Sequence, residues 1–210
     1  VERQEGIVEH NAGRMAVNRA ANRTPAAVIP PEKYSVIHKG VLAACDARDG
    51  VADGVLEDPA SCTFDPQVLQ CRAGDAPDCL TADQVASAQA VYATFTHPVT
   101  GAAVLRGLAA GSEPGWAVAA GPQPVGTSLE AFRHIVMEDP AWEASRFDPE
   151  TDVDRALEAD PYDILGSRST SLGEFFARGG KLLLYHGWSD PQVSPFNTID
   201  FFEDVVSRYG

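Results

Sequence analysis

The sequence is short of several things, and each shortage closes off a class of function. No apolar run approaches the ~20 residues needed to span a bilayer, so a membrane-embedded helix is excluded. Lys and Arg number only 16 against 30 Asp and Glu, and they form no cluster. The net charge of −14 and the pI near 4.6 would repel a phosphate backbone, which argues against nucleic-acid binding. There is no Cys-x-x-Cys pair, no Gly-x-Ser-x-Gly, no Cys-Ser and no His-Cys. A conventional zinc module and a self-contained serine-hydrolase elbow are therefore both missing. The chain opens at Val1 on a polar, charged stretch with no signal-peptide pattern, and reads as a processed product or a fragment.

What remains is a chain of 210 residues, 44% hydrophobic, enough to build a sizeable core. Its four cysteines, Cys45, Cys62, Cys71 and Cys79, crowd into one turn-rich segment. Four cysteines permit three pairings. Zinc ligation and buried free thiols are the alternatives to two local disulfides, Cys45–Cys62 and Cys71–Cys79, which is the favoured reading. It points to an oxidising compartment, secreted or periplasmic.

Helical signals recur along the chain. Gly13 to Asn22 is compatible with a helix but weakly patterned. Pro31 stands near the N1 position of a helix over Glu32–Ala44 carrying Val36, Ile37, Val41 and Leu42. Thr81 caps a helix to Thr94 with Val85, Ala88, Val91 and Tyr92 on one face. Residues 97–127, rich in Gly and Pro, read as loops. Helices follow over Ser128–Glu138 and Asp152–Ala159. Near the end, Lys181-Leu182-Leu183-Leu184-Tyr185 reads as a strand buried on both faces of a parallel sheet. The turn His186 to Pro191 follows, then a helix with Phe196, Ile199, Phe202, Val205, Val206 and Tyr209 as its stripe. One such strand cannot make a sheet alone. Its neighbours are expected from sequence outside this chain.

The densest chemical pattern is Cys45-Asp46-Ala47-Arg48-Asp49-Gly50-Val51-Ala52-Asp53-Gly54-Val55. Three carboxylates at spacings of three and four, with glycines that let the backbone fold tightly, suit a calcium ion that wants six to eight oxygens. The EF-hand pattern does not fit, because Arg48, Gly50 and Val51 fall at its third, fifth and sixth positions. Two solvated Asp-Gly turns are the plainer alternative; the mutual repulsion of three carboxylates on one stapled loop favours a cation.

That loop, continued by Asp58-Pro59, Phe64-Asp65-Pro66, Leu69-Gln70-Cys71 and Cys79-Leu80-Thr81, resembles the tannase and feruloyl esterase family. So does the later run Gly179-Gly180-Lys181 through Trp188-Ser189-Asp190-Pro191. The resemblance implies an α/β fold: a fragment of an α/β-hydrolase with a large, mostly helical and irregular lid, stapled by disulfides and calcium. Residues 1–29 would lead from the hydrolase core into the lid, 30–170 would form the lid, and 171–210 would return to the core. It implies structural Ca2+ held by the side chains of Asp46, Asp49 and Asp53 and the carbonyls of Val51 and Val55. It also implies a Ser-His-Asp mechanism on esters of aromatic acids, feruloyl or galloyl, with Asp190 as the triad acid. Serine and histidine would lie on a companion hydrolase-core segment, so this chain alone is expected to be inactive. Of the five histidines, His186 reads as a hydrogen-bonded structural residue, and His10, His38, His97 and His134 as surface or packing residues. Trp116, Phe132, Trp142 and Trp188 read as core before they read as pocket. The competing reading is a catalytically inactive, calcium-dependent lid-like domain that binds aromatic or plant-wall esters.

Overall fold

The structure is a computed structural model that describes residues 7–160, 165 and 170–210. Residues 1–6, 161–164 and 166–169, parts of the expected lead-in and lid, lie outside the described residues.

Helix α1 (Ile7–Ala21) is longer than the sequence pattern suggests. Its pattern is weak because nearly every side is covered: Val8, Ala12, Met15, Ala16, Val17 and Ala21 are buried, and so are Glu9, Asn11 and Asn18. A helix buried all round shows little contrast between faces. Helix α2 (Pro31–Cys45) starts on its proline as expected and buries Tyr34, Ile37, Val41 and Cys45. Helix α3 (Ala82–Tyr92) opens on a reciprocal cap. The Gln84 N–H donates to Thr81 Oγ1 at 3.2 Å, and the Thr81 N–H donates to Gln84 Oε1 at 3.0 Å, satisfying two otherwise orphaned donors.

Two aromatic-centred cores flank α1. Val17 and Ala21 join Ile29, Tyr34, Ile37, Leu80, Val85, Val91 and the fully buried Trp116 in one. Val8, Ala12, Met15 and Ala16 join Phe132, Trp142, Phe147, Val153 and Ala156 in the other. Phe132 stacks on Trp142 and meets Phe147 edge-on, each at 5.3 Å between centroids. The reading of Trp116, Phe132 and Trp142 as core residues holds. The second core also takes α4 (Gly126–Ala131), which runs on into a wide turn over Phe132–Val136, and α5 (Asp152–Ala159). Between the cores, β1 (Phe95–Thr96) pairs antiparallel with β2 (Ala103–Leu105). Among the described residues this is the whole of the sheet, apart from one isolated bridge between Gln70 and Leu80.

Both expected disulfides form, Cys45–Cys62 and Cys71–Cys79, with Cα atoms 5.5 and 5.0 Å apart, and no cysteine is free. Zinc and free thiols are thereby set aside. No helix among the described residues is long and apolar enough to cross a membrane.

The strand expected over 181–185 is corrected. These residues make no strand pairing, and Leu183 and Tyr185 are 86% and 91% exposed. The physical reason is the one that made a lone strand implausible: among the described residues no other strand lies beside it to pair with its N–H and C=O groups. Helix α6 (Gly173–Ala177) and helix α7 (Pro195–Tyr209) enclose this stretch in sequence. The predicted stripe of α7 exists but is half uncovered, with Val205 buried while Phe202 and Val206 are exposed.

Candidate active site

The acid turn begins where the apolar run ends. The Asp190 N–H donates to the Gly187 carbonyl at 3.2 Å, closing the bend. Asp190 Oδ1 accepts the N–H groups of Gln192 at 2.8 Å and Val193 at 3.0 Å. Its Oδ2 faces His186 Nε2 at 3.4 Å, and the other ring nitrogen of His186 lies 2.6 Å from Thr198 Oγ1. Partial burial pushes the Asp190 carboxyl up. The N–H groups of Val193 and Gln192 and the neighbouring His186 together outweigh it, so the group sits below the usual carboxylate range. Asp190 is thus an ionised, half-buried acceptor at pH 7, the state required of a carboxylate that orients an imidazole.

The turn is seated on the body of the protein by close contacts. Ser194 Oγ donates to the Gly107 carbonyl at 2.6 Å, and Arg106 meets Asp200 at 3.3 Å and lies over the Phe196 ring at 5.5 Å. Pro191 packs directly against Gly115, where a Cβ would come within 2.6 Å of the proline ring. Only glycine permits that approach. Gly115 follows Glu113, a fully buried carboxylate that accepts from Tyr92 Oη at 2.6 Å and the Gly111 N–H at 2.8 Å and meets His38 Nδ1 at 2.7 Å. Burial, and after it the Glu113 charge, push the Tyr92 hydroxyl far upward, so it stays a donor.

Helix α1 supplies two groups that sequence spacing could not associate with this turn. His10 and Arg14 both feel the Asp190 charge, and each has a buried nitrogen, Nε2 and Nη2 respectively, with no hydrogen-bond partner among the described residues. Burial, reinforced by Arg14, lowers the His10 pKa to about 4 against opposition from the Gln192 backbone and Asp190. A small cleft beside the turn is lined by Arg14, Arg106, Leu108, Val118, Pro191 and Gln192. No local motif signals it, because its walls come from both ends of the chain. His38 and His97 are packing residues tied to carboxylates, His97 through Asp154 at 3.1 Å, and His134 is exposed beside Glu130. Trp188 packs edge-on against Phe196 with centroids 6.0 Å apart.

The aspartate loop has the chemistry of a calcium site without a convergent cage. Gly50 and Gly54 adopt φ of 97° and 85°, turning the backbone back on itself. The Gly54 N–H lies 3.1 to 3.2 Å from both oxygens of Asp46, drawing the two ends of the loop together. Asp49 Oδ1 accepts the Val51 N–H at 2.8 Å, and Asp53 Oδ1 accepts the Val55 N–H at 3.1 Å. Among the described residues no three His, Cys, Asp or Glu converge on a single point. The donor set consists of hard oxygens, which suits calcium in kind, and each carboxylate has lone pairs beyond those its own turn uses.

Similarity to known proteins extends over nearly the whole chain. The family model described as tannase and feruloyl esterase matches residues 8–210. An uncharacterized esterase of Xanthomonas campestris is 35% identical over 202 residues, covering 88% of this chain and 35% of that protein. A probable feruloyl esterase B-1 of Aspergillus flavus is 30% identical over 180 residues, 85% of this chain and 34% of its own length. Among solved structures, an esterase from Aspergillus oryzae superposes with a TM-score of 0.85 at 26% identity, covering 96% of this chain and 39% of that one. Feruloyl esterase B from the same organism gives 0.86 at 23% identity over 96% and 40%, a likeness of fold. The chain therefore spans about a third of the length of the curated relatives it matches.

Proposed function

Because this chain belongs to the tannase and feruloyl esterase family, we propose that it is the acid-bearing part of a secreted or periplasmic carboxylic ester hydrolase for aromatic-acid esters. Asp190 is the acid of a Ser-His-Asp triad whose serine and histidine belong to a companion hydrolase-core segment. Asp190 holds the imidazole in the right tautomer and stabilises the imidazolium formed when serine attacks the ester carbonyl. The observation that carries this reading is the Asp190 carboxylate itself: ionised, half-buried, fixed by two backbone N–H groups, and placed just after an apolar run.

Residues 30–170 act as the lid and residues 171–210 as a core segment. The exposed Leu183 and Tyr185 support this division, since an uncovered apolar run is what a sheet strand offers its neighbours. Calcium, held by Asp46, Asp49 and Asp53 and the carbonyls of Val51 and Val55, offsets the crowded carboxylates and stiffens the loop closed by Cys45–Cys62. Its role is structural. An inactive lid-like binding domain would cover the 181–185 run with its own chain, and that run is exposed.

The test is turnover of methyl ferulate and methyl gallate by the full-length protein and by residues 1–210 alone. The full-length protein hydrolyses at least one of them and the shorter chain neither. Hydrolysis by the shorter chain overturns the proposed division of the triad. Failure of the full-length protein on all aryl esters overturns the enzymatic reading.

A further inference from the structure

The carboxylate of Asp190 has a partner within this chain that a triad acid does not need for its reaction, His186, and His186 has a second partner in turn. Thr198 is the fourth residue of α7, and its hydroxyl lies 2.6 Å from His186 Nδ1, while His186 Nε2 faces Asp190 Oδ2 at 3.4 Å. A bare Nε2 would set its lone pair against an ionised carboxylate, so a proton on Nε2 suits this contact. With Nε2 protonated and Nδ1 bare, the Thr198 hydroxyl donates to Nδ1, and both contacts are satisfied.

From this we infer that Thr198 and His186 form an orienting chain, Thr198 Oγ–H to His186 Nδ1 and His186 Nε2–H to Asp190 Oδ2, that sets the Asp190 carboxyl for the triad histidine. Both residues are positioning residues, and the inference rests on Asp190 being the triad acid. The pair complements the backbone: Gln192 and Val193 hold Oδ1 by hydrogen bonds, and His186 Nε2 faces Oδ2 at an ion-pair distance of 3.4 Å. Contacts on both oxygens restrict the carboxyl's terminal torsion, which is otherwise broad and soft. One lone pair of Oδ2 stays open for the incoming imidazole. The other groups that feel the Asp190 charge, His10 and Arg14, stand on α1 and make no hydrogen bond to it. They leave this orienting task to His186.

The experiment compares Thr198→Val, Thr198→Ser and Asp190→Asn in the full-length protein, with methyl ferulate as probe. Removing the hydroxyl at constant shape in Thr198→Val lowers kcat about tenfold with KM unchanged, within the ~100-fold that a 1 Å misplacement can cost. Thr198→Ser restores most of the lost kcat. Heteronuclear NMR of the His186 ring, which needs no turnover, shows the Nε2–H tautomer in the parent and a mixture of tautomers in Thr198→Val. An inactive Asp190→Asn beside a fully active Thr198→Val overturns the orienting chain alone. An Nδ1–H tautomer in the parent overturns it too. An unchanged kcat in Asp190→Asn overturns the triad assignment and the orienting role with it.

Discussion

The two halves of this molecule dispose of their apolar residues in opposite ways. Between Ile29 and Ala156 the core is sealed: Trp116, Phe132, Phe147 and Val153 have essentially no exposure and each packs in a cluster drawn from several elements, while Val51, Val55, Val68 and Val99 stay exposed outside it. From Leu182 onward the same residue types lie open, with Leu183, Tyr185, Phe202 and Val206 all exposed. The residue types are comparable; the surroundings differ. The first region closes around α1 with the capped helix α3 and two disulfides. The second has helix α7 and an apolar run with no partner strand among the described residues, and is pinned to the first through Ser194, Pro191 and Arg106. Burial is a property of the neighbours as much as of the residue, and here it distinguishes a closed core from an uncovered apolar surface.

Truncation is the bluntest way to break that contrast. Phe132→Ala should cost about 3–5 kcal/mol, because it removes a ring that stacks on Trp142 and meets Phe147 edge-on, and leaves a cavity. If the exposed run is a sheet strand in the full-length protein, Leu183→Ala there should cost ~2–5 kcal/mol, as a core leucine does. Urea unfolding of the full-length variants measures both. A cost under ~0.5 kcal/mol for Leu183→Ala would mark the run as true surface.

The histidine of α1 probes the join between the halves. Its folded pKa of about 4 lies below the ordinary 6.5, so the unfolded chain binds the proton more readily. Stability contributed by neutral His10 is complete above pH 6.5 and is lost as pH falls from about 6.5 to about 4. The loss is on the order of 3 kcal/mol. His10→Gln should flatten that part of the pH–stability curve, read from urea midpoints at several pH values. A curve unchanged by the substitution would mean that His10 is not buried against Arg14 as described.

Calcium gives the gentlest test. Chelation should lower the melting temperature of the full-length protein by several degrees, the shift that ~1–2 kcal/mol produces in a domain of this size. Asp49→Ala should abolish the response to added calcium while leaving the disulfides intact. A melting temperature indifferent to both would leave the loop as two Asp-Gly turns.

Much of this was legible in the sequence where the chemistry is local. The Thr81–Gln84 cap, the start of α2 on Pro31 and the span of α5 depend on residues a few positions apart, and the disulfides join cysteines 17 and 8 positions apart within one segment. The backbone donors to Asp190 lie two and three residues away, so the acid turn was legible too. The rest is tertiary. Helix α1 lacks a face because it is buried nearly all round, and His10 and Arg14 reach the acid turn from the other end of the chain. Glu113 looks like any loop carboxylate until Tyr92, His38 and the Gly111 N–H surround it. The 181–185 run shows the reverse: its pattern demands a sheet, and the described residues provide it no partner strand.

The most direct test of the account is the Asp190→Asn variant of the full-length protein, assayed on methyl ferulate with its fold checked by circular dichroism. An amide keeps the shape and removes the charge that orients and stabilises the imidazolium, so kcat should fall by about 10⁴ with the fold unchanged. A folded variant that retains more than a tenth of the parent rate would contradict the assignment of Asp190 as the triad acid.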